Sequence, residues 1–152
     1  RGFVLTVDLN TVELQENPMP GGSIRVEFPL SSALGTAASA AVLFELEPGN
    51  ALATHTDSSE ELLLVLGGEG EAHVGGETGR LREGQLAVVP PLAPHGIRNV
   101  GDTTLRVLGF FAGSTVVSVF DDRLGPEGER VFVTGAPTPV MAHAGEPSTL
   151  AA

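Results

Sequence analysis

The chain of 152 residues contains no cysteine, no tryptophan and no tyrosine. The absence of cysteine excludes disulfides, thiolate metal sites and cysteine nucleophiles. The absence of tyrosine and tryptophan excludes a tyrosyl acid or radical and disfavours sugar- or base-stacking platforms. Since the seven phenylalanines are the only aromatic side chains, a pocket must be lined mainly by aliphatic residues and phenylalanine. The composition therefore favours a small, rather apolar molecule as ligand or substrate.

Basic residues are also scarce. The chain has eight arginines and lysines in total and nineteen acidic residues, which give a net charge of -11. Nucleic acids and anionic membrane surfaces are unfavourable partners for such a chain. The sequence lacks an apolar run of about 20 residues, so we expect no membrane-spanning helix. The first residues do not have the pattern of a secretory signal, and with the lack of cysteine this favours a cytoplasmic protein.

Short apolar runs separated by turn residues dominate the chain, which has 20 glycines and 11 prolines. Strands at this spacing predict an all-β single domain, either a barrel or a sandwich. The alanine-rich stretch Ser31–Ala41 predicts a loop or a short turn rather than a helix. The predicted strands are Phe3–Asp8, Ser23–Phe28, Ala41–Leu46, Leu52–His55, Leu62–Leu66, Gly70–Val74, Gln85–Val89, Gly96–Val100, Leu105–Phe111, Thr115–Phe120 and Arg130–Val133.

The predicted domain covers residues 1–134, and its length is ordinary for one domain. Residues 135–152 are rich in alanine, proline, glycine and threonine. This composition predicts an extended C-terminal tail.

Two segments, residues 49–68 and 84–99, carry the candidate chemistry, and 15 residues separate them. Their fixed positions are Gly49, His55, Glu61 and Gly68 in the first segment and Gly84, Pro90, His95 and Asn99 in the second. In type and spacing these residues resemble the two conserved motifs of the cupin superfamily, in its compact bacterial form. The resemblance implies a double-stranded β-helix, that is a jelly-roll or cupin barrel, with its motif core at residues 49–99. It also implies one divalent metal ion (Fe, Mn, Ni, Co, Cu or Zn) on His55, Glu61 and His95.

Two positions depart from the cupin pattern. Leu92 stands where the second motif usually has glycine, and we expect it to alter only a turn. Asp57 stands where the first motif usually has a second histidine. Residues two apart on a strand share a face, so Asp57 and His55 are both predicted to point into the barrel.

The role of Asp57 is open at this point. As a metal ligand, Asp57 would join Glu61 and the two histidines, and its oxygen would favour harder ions such as Mn or Fe(II). As a free carboxylate beside the metal, it is a candidate general base, and so is Glu61. Glu60 is expected to be the solvated neighbour of Glu61. His73 is expected at the surface or, as the alternative, at the barrel mouth.

Three functions fit a cupin with these residues. The first is a metal-dependent dioxygenase acting on a small organic molecule, similar to quercetin dioxygenase. The second is a non-redox metal enzyme, an isomerase, cyclase or lyase, in which the ion polarises a carbonyl. The third is a small-molecule-binding protein without catalysis. Cupins commonly pair through their outer sheets, and residues 1–30 could add strands to a partner's sheet, so we expect a homodimer.

Overall fold

The computed structural model describes residues 4–135 of the chain, and these residues form strands and a single turn of 3-10 helix, Ser32–Leu34. The predicted short turn within Ser31–Ala41 is thereby confirmed. No helix of the described part is long and apolar enough to cross a membrane. The strands are β1 (Gln15–Met19), β2 (Gly22–Leu30), β3 (Ala40–Leu46), β4 (Ala51–Asp57), β5 (Glu61–Gly67), β6 (Glu69–Val74), β7 (Glu77–Arg82), β8 (Leu86–Val89), β9 (His95–Asn99), β10 (Leu105–Phe111), β11 (Val116–Leu124) and β12 (Glu129–Thr134).

The strands make two six-stranded sheets that pack face to face. The first sheet has the order β1-β2-β3-β10-β5-β8 and the second the order β12-β11-β4-β9-β6-β7. From β3 to β11 the chain passes repeatedly from one sheet to the other, and the β6–β7 hairpin is the one step in that stretch that stays within a sheet. This alternation is the path of a jelly roll, so the predicted all-β class and the double-stranded β-helix are confirmed.

The core lies between the two sheets and is built by strand alternation. In β5 the inward residues Glu61, Leu63 and Val65 are buried while Leu62 between them is exposed. Phe44 from β3 joins the same core. Each fully buried Leu, Val or Phe side chain contributes about 1.5–3 kcal/mol of hydrophobic free energy. A polar residue at an inward position is therefore a candidate functional residue, because an apolar side chain at the same position would make the fold more stable.

Three strand assignments differ from the sequence prediction. The segment predicted as strand Phe3–Asp8 is not a strand in its described part, residues 4–8, although its composition is largely apolar. Strands β1 and β7 were not predicted, since β1 contains Pro18 and β7 is polar along most of its length. Of the predicted tail 135–152, residues 136–152 lie outside the described residues.

The motif glycines and Leu92 mark turns that need left-handed backbone. Gly49 and Gly84, which open the two motifs, have φ of 85° and 84°. Leu92 is the only non-glycine residue of the described chain with positive φ, at 64°. Glycine adopts this conformation without strain, whereas a side chain at Cβ costs about 1–2 kcal/mol there. The left-handed turn is therefore present at the position where the second motif usually has glycine, and the backbone of Leu92 is strained there.

Candidate metal centre

The centre is built on β4, which lies between β11 and β9 in the second sheet. His55 and Asp57 share the inward face of β4, as predicted, and both are buried. Across β9, His95 is the register partner of His55. Across β11, Ser118 is the register partner of Asp57 and Phe120 is that of His55. Strand pairing alone thus brings residues from three separate parts of the chain to one place.

The inward side chains converge tightly. One ligand atom from each of His55, Asp57 and His95 lies within 4.8 Å of the others, a grouping that could hold a metal ion. Oδ2 of Asp57 is 3.1 Å from Nε2 of His95 and 3.4 Å from Nε2 of His55. Two imidazoles and a carboxylate are a donor set that suits first-row transition metals.

Hydrogen bonds to the backbone orient both imidazoles. Nδ1 of His55 lies 2.8 Å from the carbonyl oxygen of Ala53, and Nδ1 of His95 lies 2.9 Å from that of Ala93. A carbonyl can only accept, so Nδ1 carries the proton in each ring. In the neutral rings each Nε2 therefore presents a lone pair toward Asp57. A backbone carbonyl in this role is the usual support of a metal-binding histidine.

Glu61 approaches from the opposite sheet, at the start of β5, and is 4% exposed. Its Oε1 lies 3.5 Å from Nε2 of His95, but Glu61 is not a member of the compact group of three. Gly109 on β10 leaves room for its carboxylate, because a Cβ at that position would clash with Oε2 of Glu61. Its neighbour Glu60 is exposed, which agrees with the register expected from the motif.

The buried polar atoms of the centre fit a cation. Asp57 and His95 are each 2% exposed. Their atoms Oδ2 and Nε2 are buried without a hydrogen-bond partner, although they lie 3.1 Å apart. Because both atoms present lone pairs when His95 is neutral, they repel one another unless a proton or a metal ion lies between them. Buried polar atoms are rarely left unsatisfied, so this pair is an argument for a cation at the centre.

The titration behaviour of the centre follows from this crowding. Burial acts to raise the pKa of Asp57, but interaction with the adjacent imidazoles of His55 and His95, which favours the ionised carboxylate, outweighs burial and holds that pKa below its usual range. Burial acts to lower the pKa of His95, but the carboxylates of Asp57 and Glu61 raise it to about 10. Burial raises the pKa of Glu61. In the metal-free protein a proton on His95 thus takes the place that a metal ion would occupy.

Two residues outside the motifs complete the centre, and neither was predicted from the sequence. Ser118 donates a hydrogen bond from Oγ to Oδ1 of Asp57 at 2.5 Å. This contact leaves Oδ2 as the oxygen that faces the histidines. Phe120 stacks on His55 with ring centroids 4.6 Å apart. No local signal marks either residue, since both act through the pairing of β11 with β4.

The centre lies in a cavity of about 620 Å³ between the sheets. His55, Asp57 and Glu61 contribute to its wall, and apolar side chains make up most of the rest. The wall also includes residues of β1 and β12, each of which lies at one edge of its sheet. Such a volume admits a small organic molecule. The apolar lining expected from the composition is therefore present.

His73 does not belong to this cavity. Its Nε2 lies 2.9 Å from Oγ1 of Thr54, and it lines a separate depression of about 270 Å³ with Glu71, Thr78 and Arg98. Of the two expectations for His73, the surface position is the one found.

The comparisons with known proteins agree with this architecture. The family model for the cupin domain matches residues 42–111. No curated protein matches the sequence significantly. A protein from Thermotoga maritima described as a predicted oxalate decarboxylase is 24% identical, with a TM-score of 0.64 and coverage of 72% of this chain and 99% of its own. The oxalate decarboxylase of Lactobacillus farciminis, in a formate complex, is 22% identical with a TM-score of 0.64, over 71% of this chain and 33% of its own.

A third similar structure is a cupin domain from Schizosaccharomyces pombe, 20% identical with a TM-score of 0.61, over 73% of this chain and 75% of its own. The chain spans only about a third of the Lactobacillus enzyme, and identities at this level establish the fold alone. Residues 42–111, which contain both motifs, thus match the cupin-domain family, and the similar structures share the fold of this chain.

Proposed function

We propose that this cupin binds one divalent transition-metal ion and acts as a dioxygenase on a small organic molecule. The proposed ligands are His55, Asp57, Glu61 and His95. The observation that supports this best is the pair of buried, unpartnered atoms Oδ2 of Asp57 and Nε2 of His95, beside an apolar cavity whose wall includes Asp57. Two imidazoles with carboxylate oxygens resemble the donor set of non-haem iron oxygenases, which leaves positions open for substrate and dioxygen.

When bound, a redox-active ion would supply Lewis acidity and electrons for the activation of dioxygen. The protein's own residues would bind and prepare the substrate. Glu61 is buried with a raised pKa, so its carboxylate is suited to take the proton of an enol or phenol near neutral pH. The second candidate base is Asp57. Phe120 and the apolar wall would exclude bulk water from the reacting atoms.

The non-redox alternative keeps the same residues and differs in the ion and in the need for oxygen. In an isomerase, cyclase or lyase the ion would polarise a carbonyl, and Asp57 or Glu61 would move the proton. A binding protein without catalysis would need the cavity but not the metal.

The deciding experiment is elemental analysis of the purified protein beside the His95→Ala variant, with His73→Ala as the matched control. We expect about one transition-metal ion per chain in the unaltered protein and in the control, and loss of that ion in His95→Ala. Oxygen uptake that requires the reconstituted metal would support the dioxygenase, and turnover that ignores oxygen would support the non-redox enzyme. Absence of bound metal after reconstitution would contradict both enzymes and leave the binding protein.

We further propose that the protein is a homodimer. Exposed apolar residues meet in register on the outer face of the first sheet, where Phe110 pairs with Leu62 and Leu62 with Val88. A second copy would cover this outer apolar patch. Of residues 1–30, which were expected to add strands to a partner's sheet, β1 and β2 pair within the first sheet of their own chain. We expect a dimeric mass by light scattering at micromolar concentration. Val88→Glu should give a monomer, while Val131→Glu on β12 should not, and a monomeric unaltered protein would contradict the proposal.

A further inference from the structure

Among the described residues, the cavity wall contains no arginine, and its one basic side chain is the imidazole of His55 in the proposed metal centre. The whole chain has no lysine, and the seven arginines in the described residues all lie away from the wall. Most of them are engaged elsewhere. Arg25 pairs with Glu45 and Glu47, and Arg130 donates to the carbonyl oxygen of Phe120. A bound carboxylate or phosphate would therefore find no guanidinium or ammonium partner among the described residues of this cavity.

The charged groups that do line the wall are acidic. Besides Asp57 and Glu61, the lining includes Glu27, Glu127 and Glu129. Glu27 accepts a hydrogen bond from the backbone N–H of Phe28, whereas Glu127 and Glu129 are exposed and belong to the β11–β12 hairpin. The entrance side of the cavity thus carries negative charge, which repels anions and attracts cations.

The inner end of the cavity gives an anion no compensation. With a divalent ion bound and both imidazoles neutral, the two negative charges of Asp57 and Glu61 equal the charge of the ion. In the metal-free protein the same two carboxylates face a single proton on His95, so the centre still has no positive charge to spare for an anion. A set with a third histidine in place of Asp57 would leave one positive charge instead. An anionic substrate would therefore add an unbalanced negative charge in a poorly solvated place, which is strongly unfavourable.

We infer that the substrate of this cupin carries no carboxylate or phosphate, and is a neutral or cationic molecule with an apolar body about the size of one or two rings. The inference deepens the proposed function, because it assigns a substrate class to the proposed site. The apolar body packs against side chains such as Phe28, Phe44 and Phe111. A cationic group, where present, lies near Glu127 and Glu129. Small dicarboxylates such as oxalate are excluded by the same charges.

The test compares three molecules of nearly equal shape that differ in charge: 2-naphthylmethanol, 2-naphthylmethylamine and 2-naphthoate. Binding to the full-length protein is measured by calorimetry, both metal-free and after addition of Mn²⁺, with oxalate as a fourth probe. We expect the alcohol and the amine to bind at least about tenfold more tightly than the naphthoate in both states. We expect no measurable binding of oxalate.

A variant at the entrance isolates the contribution of the rim. Glu127→Gln with Glu129→Gln should reduce the preference for the amine over the naphthoate several-fold and leave the affinity for the alcohol unchanged. Naphthoate binding as tightly as the alcohol, or no binding by any of the three molecules, would overturn the inference. Because the metal-free measurement needs no metal, a failure of this kind is distinct from a failure of the proposed metal centre.

Discussion

Metal binding at this centre should release a proton, because His95 and a metal ion compete for the same nitrogen. The carboxylates of Asp57 and Glu61 raise the pKa of His95 to about 10, so His95 is protonated at pH 7.5 in the metal-free protein. An unperturbed histidine with a pKa of about 6.5 would be only about one-tenth protonated there. The competition weakens the apparent metal affinity about 300-fold at pH 7.5, and the affinity rises roughly tenfold per pH unit toward pH 10.

The assay is titration calorimetry with Mn²⁺ between pH 6.5 and 8.5, in pairs of buffers that differ in ionisation enthalpy. We expect about one proton released per ion at pH 7.5, against about 0.1 for an unperturbed histidine. His73→Ala should release the same number, since His73 lies outside the cavity and contacts Thr54. Proton release near 0.1 together with an affinity that does not change with pH would refute the electrostatic account of the centre.

Three further substitutions test the structure around the centre. Ser118→Ala removes the hydrogen bond that orients the carboxylate of Asp57. This variant should bind metal about 10–100-fold more weakly in a metal titration. The thermal stability of the metal-free protein should change little. Gly109→Ala places a Cβ against the Glu61 carboxylate and should destabilise the protein by about 1–3 kcal/mol in urea, whereas Gly79→Ala, which meets no atom within 4 Å, should not. Leu92→Gly should raise the free energy of unfolding by roughly 0.5 kcal/mol. The free energy gained by relieving the strained φ of Leu92 exceeds the free energy lost because glycine adds entropy to the unfolded chain. A clear decrease in the free energy of unfolding would contradict the strain.

The sequence was sufficient to predict the fold and to predict which polar residues point inward. The motif positions give the spacing, and the period of two along a strand places His55 and Asp57 on one face. The structure has both side chains buried on the inward face of β4 and brings His95 opposite His55. Their binding of metal stays a prediction, as does the choice between ligand and base for Asp57.

Contacts between strands that are far apart in the chain could not be predicted from the sequence. Ser118 is 61 residues from Asp57, and only the pairing of β11 with β4 joins them. The segment predicted as strand Phe3–Asp8 shows the opposite error. Its apolar pattern suits a strand, yet its described residues pair with no sheet. Strand β7 pairs with β6 despite lacking an apolar face. In each case the long-range partner decides the conformation and local pattern does not.

The presence of aspartate at position 57 connects the two main expectations about this centre. Its carboxylate lies 3.1 Å from His95 and raises the pKa of that ring, so it is a source of the predicted proton release. The same carboxylate brings the ligand charge to the level that cancels a divalent ion, so it also removes the positive charge that would attract an anionic substrate. Imidazole at this position would weaken both effects. A pH-dependent metal affinity and a preference for non-anionic ligands are therefore expected together, because one negative charge in a buried place is responsible for both.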